Sequence, residues 1–271
     1  MKNKTRVLLG SPIRQKADIL QHFLQSIRQL NCGGMYELDY FFVDDNLEEE
    51  SSQLLSDFST QNHNTSIMRT RHDKPYICNE STHIWEEELI WKVAGFKNIM
   101  INLARKEGYD FLFLLDSDIV LHPQTLIHLL GLKKDIVAEI FWTRWEADLP
   151  ELPQVWVGDQ YNLYESTVEE NLTQNEIFQR VQLFINKLKV PGVYKVGGLG
   201  ACTLISRKAL QSGVNFNQIY NISFIGEDRH FCIRAVALGF ELFVDTHYPA
   251  FHIYRPVDLN RLEEYKAGHE Q

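Results

Sequence analysis

The chain has 271 residues, 44% of them hydrophobic and 23% charged, a balance that allows a full hydrophobic core and excludes a disordered chain. Its net charge of −9 argues against a nucleic-acid partner, because binding to phosphate backbones needs clustered Lys and Arg. No apolar run approaches the ~20 residues of a membrane span. The cysteines, Cys32, Cys78, Cys202 and Cys232, lie far apart without C-x-x-C spacing. We therefore expect a soluble cytoplasmic protein with reduced cysteines and without a transmembrane segment.

Hydrophobic periodicity predicts strands and helices that alternate along most of the chain. The predicted strands cover residues 7–9, 36–43, 66–71, 111–115, 135–141 and 241–245. The predicted helices cover residues 19–27, 48–58, 81–106 with a break near Gly95, a helix that begins at Pro123, 168–188 and 227–238. Residues 10–12 predict a turn, and residues 146–165 a loop-rich insertion or a short strand pair. This alternation is typical of an α/β fold with a mostly parallel, helix-covered sheet.

A pair of acids follows the most apolar of these strands. Five consecutive apolar residues, 111–115, predict a central strand covered on both faces, since a strand with one solvated face would alternate. The strand ends in Asp116-Ser117-Asp118, at the edge of an open α/β sheet where ligands bind. Two carboxylates on one loop can hold Mg²⁺ or Mn²⁺, whose other ligands are commonly water and phosphate oxygens. Alternatively, these aspartates only shape a turn or cap the next helix.

Other polar residues carry weaker signals when each is taken alone. The periodicity of the helix predicted over residues 81–106 indicates that Lys97 and Asn98 face solvent. Glu227 and Asp228 are acids in a first helical turn, where they commonly interact with the helix dipole. The glycine group at 197–200 allows a close backbone approach but matches no phosphate-binding template. Near the C-terminus, His247 and His252 could add a nitrogen ligand to a metal site.

Taken in order, these features resemble the GT-A fold of nucleotide-sugar-dependent glycosyltransferases, in the broad group that contains the family 2 enzymes. The resemblance runs from Val7 to about Arg255 and rests on the order and spacing of the whole set. It implies an α/β fold of GT-A type, a single Rossmann-like domain with a mostly parallel central sheet flanked by helices and a smaller acceptor-side lobe. Residues 1–141 would form the nucleotide-sugar-binding half, 142–255 the acceptor-side half and 256–271 a polar tail.

The resemblance also implies roles for individual residues. Asp116, Asp118 and His252, with His247 as the alternative histidine, would bind the Mn²⁺ or Mg²⁺ that bridges the diphosphate. Asp228 would be the catalytic base of an inverting transferase, with Glu227 beside it in contact with donor or acceptor. The dipole of its helix is expected to keep Asp228 ionised at neutral pH. The donor-binding residues would be Ser11, Pro12, Asp44, Lys97, Asn98, Asp116, Ser117, Gly197 and Gly198.

The implied function is therefore metal-dependent transfer of a sugar from a UDP- or GDP-type donor to a hydroxyl of a carbohydrate, lipid or protein acceptor. A lipid acceptor could be reached peripherally at a membrane. Two alternatives stay open at this stage. Residues 116–120 also fit the D-x-D-x-[TV] motif of haloacid dehalogenase-type phosphohydrolases, in which Asp116 would be the nucleophile. The third reading is a non-catalytic protein that binds nucleotide sugars and would tolerate the loss of Asp228.

Overall fold

The computed structural model describes residues 4–31, 33–70, 86–146, 149–223 and 226–268. The β-strands are Thr5–Ile13 (β1), Tyr36–Asp44 (β2), Thr65–Arg69 (β3), Phe111–Leu114 (β4), Ile119–Val120 (β5), Ile136–Thr143 (β6), Leu152–Pro153 (β7), Val155–Trp156 (β8), Val193–Val196 (β9), Gly198–Leu199 (β10), Thr203–Ser206 (β11) and Leu242–His252 (β12). The α-helices are Ala17–Arg28 (α1), Glu49–Gln61 (α2), Glu87–Lys106 (α3), Thr125–Gly131 (α4), Gln174–Leu188 (α5), Arg207–Gln211 (α6), Glu227–Ala237 (α7) and Leu262–Ala267 (α8), and a 3₁₀ helix spans Pro256–Arg261.

The central sheet is mixed, with the order β3-β2-β1-β4-β11-β6-β12-β5. The pairs β3–β2, β2–β1, β1–β4 and β6–β12 are parallel, whereas β11 is antiparallel to both β4 and β6. Since β11 opposes both neighbours, β4 and β6 run in the same direction. The carboxyl ends of β1, β2, β4, β6 and β12 therefore meet at one edge of the sheet. An α/β fold with a mostly parallel central sheet was predicted, and it is confirmed. The antiparallel β11 in its middle was not predicted.

Two hydrophobic cores cover the two faces of this sheet. Along β4, Leu112 and Leu114 pack into the core that contains α3 and α7, whereas Phe113 packs with α1, α2 and α4 on the other face. The three side chains are at most 3% exposed. The run of apolar residues without alternation thus has its expected cause, burial on both faces.

Several predicted boundaries are wrong. β1 continues through the predicted turn at 10–12, where Pro12 lies beyond the last residue that pairs with β4 and leaves no ladder bond unmade there. The helix predicted at Pro123 begins at Thr125, and the helix predicted from residue 168 begins at Gln174. A capping box between Thr173 and Glu176 fixes that second start.

Other predictions hold with adjusted bounds. α3 passes through Gly95 without the predicted break, and residues 81–85 of that predicted helix lie outside the described residues. The insertion at 146–165 contains the short strands β7 and β8, but β7 pairs with β6 and β8 with β10, so they are not the strand pair that one of the two readings predicted. The last strand is longer than predicted and ends at His252. Among the described residues, no helix is both long and apolar enough to cross a membrane.

Candidate active site

Asp116 and Asp118 follow β4 at the edge where the parallel strands end. His252 is the last residue of β12 and pairs in register with Ile119 of β5, and the Ile253 amide donates to the Asp118 carbonyl at 2.9 Å. This backbone pairing holds His252 Nε2 3.6 Å from Asp118 Oδ2. The structure therefore brings a predicted acid and a predicted histidine together from distant parts of the chain.

The orientation of the His252 ring is set by its second nitrogen. Nδ1 lies 2.8 Å from the hydroxyl of Thr143, the last residue of β6. His247 is turned elsewhere, with Nδ1 2.7 Å from Asp245 Oδ1. Of the two histidines left open by the sequence, only His252 is thus paired with Asp118. Carboxylate oxygens and an imidazole nitrogen whose other ring nitrogen is held by a polar group form a donor set that suits Mn²⁺.

A cavity of about 350 Å³ lies beside these acids, within the size range of small-molecule sites. The lining includes Asp116, Ser117 and Asp118 as well as two cations, Arg14 and Lys16, from the segment around the end of β1. Asp45 also lines it. The remaining lining residues are Pro12, Ile13, Gln15, Leu47, Glu48, Leu89, Val93, Phe96 and Glu227.

Asp45 is held in place by charged neighbours. Lys92 Nζ lies 2.7 Å from Asp45 Oδ1, and Arg14 Nη1 lies 3.5 Å from Asp45 Oδ2. The Asp45 side chain is 3% exposed, so it is fixed as a buried acceptor in the cavity wall. Acidic and basic groups in one wall suit a ligand that carries both hydrogen-bond donors and phosphate oxygens.

A buried ion cluster lies on the other side of Asp116. Lys97 Nζ is 2.8 Å from Glu227 Oε1 and 3.0 Å from Asp228 Oδ1. The acids belong to the first turn of α7, and Lys97 projects from the middle of α3. Lys97 is 3% exposed, so the expectation that it is solvated is wrong: periodicity along one helix does not reveal which helix packs on it.

The ion cluster changes the protonation of its members. Burial favours a neutral Lys97, but the charges of Asp228 and Glu227 outweigh it and raise the pKa of Lys97. Burial raises the pKa of Asp228 to about 7; the Lys97 ammonium opposes this shift, and the charges of Glu227 and Asp116 add to it. Burial also raises the pKa of Asp116. Burial therefore opposes the effect of the helix dipole, which was expected to keep Asp228 ionised at neutral pH.

The predicted glycines have packing roles. A Cβ on Gly198 would lie 1.9 Å from the Trp156 ring, and one on Gly197 would lie 2.0 Å from the Val157 carbonyl oxygen, because β10 pairs closely with β8. Gly200 is the glycine that lies next to Asp228, since a Cβ added to Gly200 would lie 3.5 Å from Asp228 Oδ2.

Three other predicted donor-binding residues do not line the 350 Å³ cavity. Ser11 is fully buried in β1. Asp44 accepts hydrogen bonds from Asn46 and Ser52 and lines a separate groove beside α2. Asn98 accepts from the Phe216 amide at 2.7 Å and so anchors the segment before α7.

The residues that sequence reasoning missed are Asp45, Arg14, Lys16 and Thr143. The resemblance implied Asp44 rather than its neighbour Asp45, and choosing between the two required the strand register, because successive residues of a strand face opposite sides. Arg14 and Lys16 follow the first strand directly, and that position was the only signal for them. Thr143 carried no signal, because its partner His252 is 109 residues away in sequence.

No family model and no curated protein matches this chain. Similar solved structures do exist. The mannosyltransferase PcManGT from Pyrobaculum calidifontis, solved in complex with GDP-Man and Mn²⁺, aligns with a TM-score of 0.53 at 10% identity over 99% of this chain and 62% of its own. GalNAc-T7, solved with UDP, GalNAc and Mn²⁺, aligns with a TM-score of 0.56 at 11% identity over 94% of this chain and 45% of its own. The chain thus spans less than two thirds of either protein.

These likenesses concern the fold. Both solved structures are glycosyltransferases of GT-A type, and the alignments cover nearly all of this chain. The mostly parallel mixed sheet, flanked by helices, is consistent with that comparison. The chain has the GT-A glycosyltransferase fold.

Proposed function

We propose that this protein is a metal-dependent glycosyltransferase that moves a sugar from a nucleoside-diphosphate sugar to an acceptor hydroxyl with inversion at the anomeric carbon. The observation that carries the proposal is the position of Asp116 between two groups. Asp118 and His252 lie on one side of Asp116. The ion pairs that Lys97 forms with the acids of α7 lie on its other side.

The donor would occupy the 350 Å³ cavity. Its diphosphate would lie at the Asp116–Asp118 end, and Arg14 and Lys16 would attract its negative charge. Asp45, held by Lys92 and Arg14, would accept hydrogen bonds from the nucleobase or ribose. Such a ligand uses both the apolar walls and the few fixed polar groups of the cavity.

Asp116, Asp118 and His252 would hold a divalent cation, Mn²⁺ or Mg²⁺. Both aligned glycosyltransferases were solved with Mn²⁺. When bound, the cation would neutralise negative charge on the departing diphosphate. Thr143 would keep the His252 ring turned toward the cation through the 2.8 Å contact to Nδ1.

Asp228 would remove the proton from the acceptor hydroxyl. A pKa of about 7 suits this role, since a general base works best when its pKa lies near the operating pH. Lys97 donates to Asp228 Oδ1 and would favour the ionised form of the base. Oδ2 faces Gly200, where a Cβ would lie 3.5 Å from it.

The decisive experiment measures sugar transfer and donor binding in the same preparations. UDP- and GDP-sugars are screened by thermal shift with Mn²⁺, Mg²⁺ or EDTA, and turnover is followed with carbohydrate, lipid and peptide acceptors. The variants are Asp118→Ala, Asp228→Asn and, as a matched control, Asp57→Asn at an exposed position of α2.

We expect one nucleotide sugar to stabilise the wild-type protein only with metal. Asp118→Ala should lose this stabilisation. Asp228→Asn should keep it while turnover falls by about 10²- to 10⁴-fold, the usual contribution of a general base. Unchanged turnover in Asp228→Asn would overturn the role of the base. Binding without turnover in every variant would favour the non-catalytic reading.

The same preparations test the phosphohydrolase alternative. A generic phosphate ester is supplied with Mg²⁺ to the wild-type protein and to Asp116→Asn. The proposed transferase should release no phosphate above background. Hydrolysis that disappears in Asp116→Asn, together with no binding of any nucleotide sugar, would identify Asp116 as a nucleophile and refute the transferase.

A further inference from the structure

A second group of metal-binding side chains lies outside the cavity described above. His128 is in the last turn of α4, and Asp245 and His247 are in β12. His128 Nε2 lies 3.2 Å from Asp245 Oδ1, and His247 Nδ1 lies 2.7 Å from the same oxygen. One potential ligand atom from each residue lies within 4.8 Å of the other two.

The carboxylate at the centre of this group is deeply buried. The Asp245 side chain is 0% exposed, whereas His247 is 37% and His128 27% exposed. The group thus has a buried anionic base and a rim of imidazoles open to solvent. This arrangement gives an ion from solution a path to all three side chains.

A second carboxylate lies directly behind the first. Glu139 of β6 is the register partner of Asp245 and is 1% exposed. Its Oε1 accepts a hydrogen bond from the Tyr248 amide at 3.3 Å, while Oε2 receives none from a described residue. Burial and the charge of Asp245 raise the pKa of Glu139.

Within the described ranges, no Lys or Arg forms an ion pair with Asp245 or Glu139. A buried carboxylate needs a proton, a cation or a metal to offset the loss of hydration. A proton on Glu139 can compensate one of the two acids. The two imidazoles are positioned to compensate Asp245, either as imidazolium ions or as ligands of a metal.

We propose that His128, Asp245 and His247 bind one Zn²⁺ ion, with water as its fourth ligand. Two imidazole nitrogens and one carboxylate oxygen are a ligand set that Zn²⁺ accepts, with bonds of about 2.0–2.2 Å. In a tetrahedral site such bonds separate the ligand atoms by about 3.3 Å. The 3.2 Å distance already matches, and the 2.7 Å contact needs to open by about half an ångström, which a partly exposed His247 ring can do.

The outer contacts also favour a fixed site. The Tyr248 ring packs edge-on against His128 with centroids 5.2 Å apart and thereby restricts the ring that must face the ion. A Zn²⁺ ion would cross-link α4, which follows the Asp116–Asp118 loop, to β12, which ends at His252. The proposal concerns binding alone and is independent of the proposed transferase activity.

The test uses untagged, EDTA-treated full-length protein that carries Asp118→Ala, so that the first metal site is weakened. Zn²⁺ binding is measured by calorimetry, and Co²⁺ is titrated as a spectroscopic probe because tetrahedral Co²⁺ absorbs strongly in the visible range. Into this parent we introduce His247→Gln and, separately, His128→Gln, since glutamine can still hydrogen-bond to Asp245. His63→Gln, in the turn between α2 and β3, is the matched control.

We expect the parent and the His63→Gln protein to bind one equivalent of Zn²⁺ and to show a tetrahedral Co²⁺ spectrum that Zn²⁺ abolishes. His247→Gln and His128→Gln should each weaken Zn²⁺ binding by more than about 100-fold, because even an outer-sphere change costs about 10- to 100-fold. Thermal melting in EDTA identifies a glutamine variant that has failed to fold. The Zn²⁺ affinity of the other glutamine variant then tests the site.

Two results would overturn the site. The first is that the parent protein binds Zn²⁺ no better than a folded His247→Gln or His128→Gln variant. Protons alone would then balance the negative charge of Asp245. The second is an octahedral Co²⁺ spectrum that is unchanged in both glutamine variants, which would place the ion elsewhere.

Discussion

The ammonium group of Lys97 lies 3.0 Å from Oδ1 of Asp228, a residue 131 positions away in sequence, inside a contact between two helices. Only 4% of the Lys97 side chain is exposed, whereas a quarter of the Asp228 side chain is. The buried cation therefore compensates an acid that still reaches the solvent side. This relationship makes the charge of the candidate base depend on a residue from another part of the chain.

Replacing the cation should destabilise the fold. Lys97→Met leaves Glu227 and Asp228 without their partner, and we expect the free energy of unfolding to fall by about 2–3 kcal/mol. Removing one member of a fully buried pair costs about 3–5 kcal/mol, and the partial exposure of Asp228 reduces this. Urea unfolding of the single and double variants with Asp228→Asn measures the coupling. If the losses in unfolding free energy of the two single variants simply add in the double variant, the ion pair is not the cause of the destabilisation.

The protonation of Asp228 should appear in the pH dependence of turnover. Because burial raises its pKa to about 7, an active transferase should lose kcat/KM as the pH falls through that region. Lys97→Met should move the acidic limb to higher pH, since the cation that favours the ionised form is gone. A Lys92→Met variant, in which a different acid loses its partner, should leave the limb in place. An acidic limb that Lys97→Met does not move would contradict this assignment.

The buried Glu139 carboxyl predicts a pH-dependent stability. Its pKa in the folded protein is well above the ordinary value of 4.5, so its stabilising contribution is complete below that value and is lost as the pH rises toward the folded pKa. Glu139→Gln has no such loss. In EDTA, the unfolding free energy of Glu139→Gln relative to wild type should rise by up to about 1.4 kcal/mol per pH unit between about pH 5 and pH 7. A difference that does not change with pH would mean that Glu139 is ionised in the fold.

The contact between Thr143 and His252 should matter for metal binding. Thr143→Val keeps the shape of a side chain that is 1% exposed but removes the hydroxyl 2.8 Å from Nδ1. We expect the Mn²⁺ affinity to fall by about 10- to 100-fold, as for other outer-sphere partners. Thr143→Ser retains the hydroxyl and should bind Mn²⁺ almost as well as wild type. Equal Mn²⁺ affinity in all three proteins, measured by electron paramagnetic resonance of free Mn²⁺, would exclude this role.

Two glycines should respond to alanine in opposite directions. In Gly198→Ala the new methyl group would meet the buried Trp156 ring, and overpacking of this kind costs about 1–3 kcal/mol. Gly95 lies inside α3, where an added Cβ would have no atom within 4 Å, so Gly95→Ala should stabilise the protein by about 0.5–1 kcal/mol. Thermal melting compares the two. A stabilising Gly198→Ala would show that β10 can move away from β8.

The local sequence predicted most of the strands and helices, because burial imposes a periodicity that a single segment carries. The apolar run before Asp116 and the helical spacing from Ile19 to Ile27 are such cases. Boundaries were less well predicted. The helix predicted from residue 168 begins at Gln174, where a cap formed by two side chains decides the start.

The sequence by itself therefore determined the α/β pattern and placed Asp116 and Asp118 at the end of a buried strand. Only the tertiary structure decided that His252 pairs with Asp118 while His247 turns to Asp245, because that choice depends on how β12 pairs with β5. It also decided that Lys97 is buried against α7 and that Asp45 rather than Asp44 lines the cavity. The physical reason is the same each time: the charge and the direction of these side chains are set by neighbours that are distant in the chain.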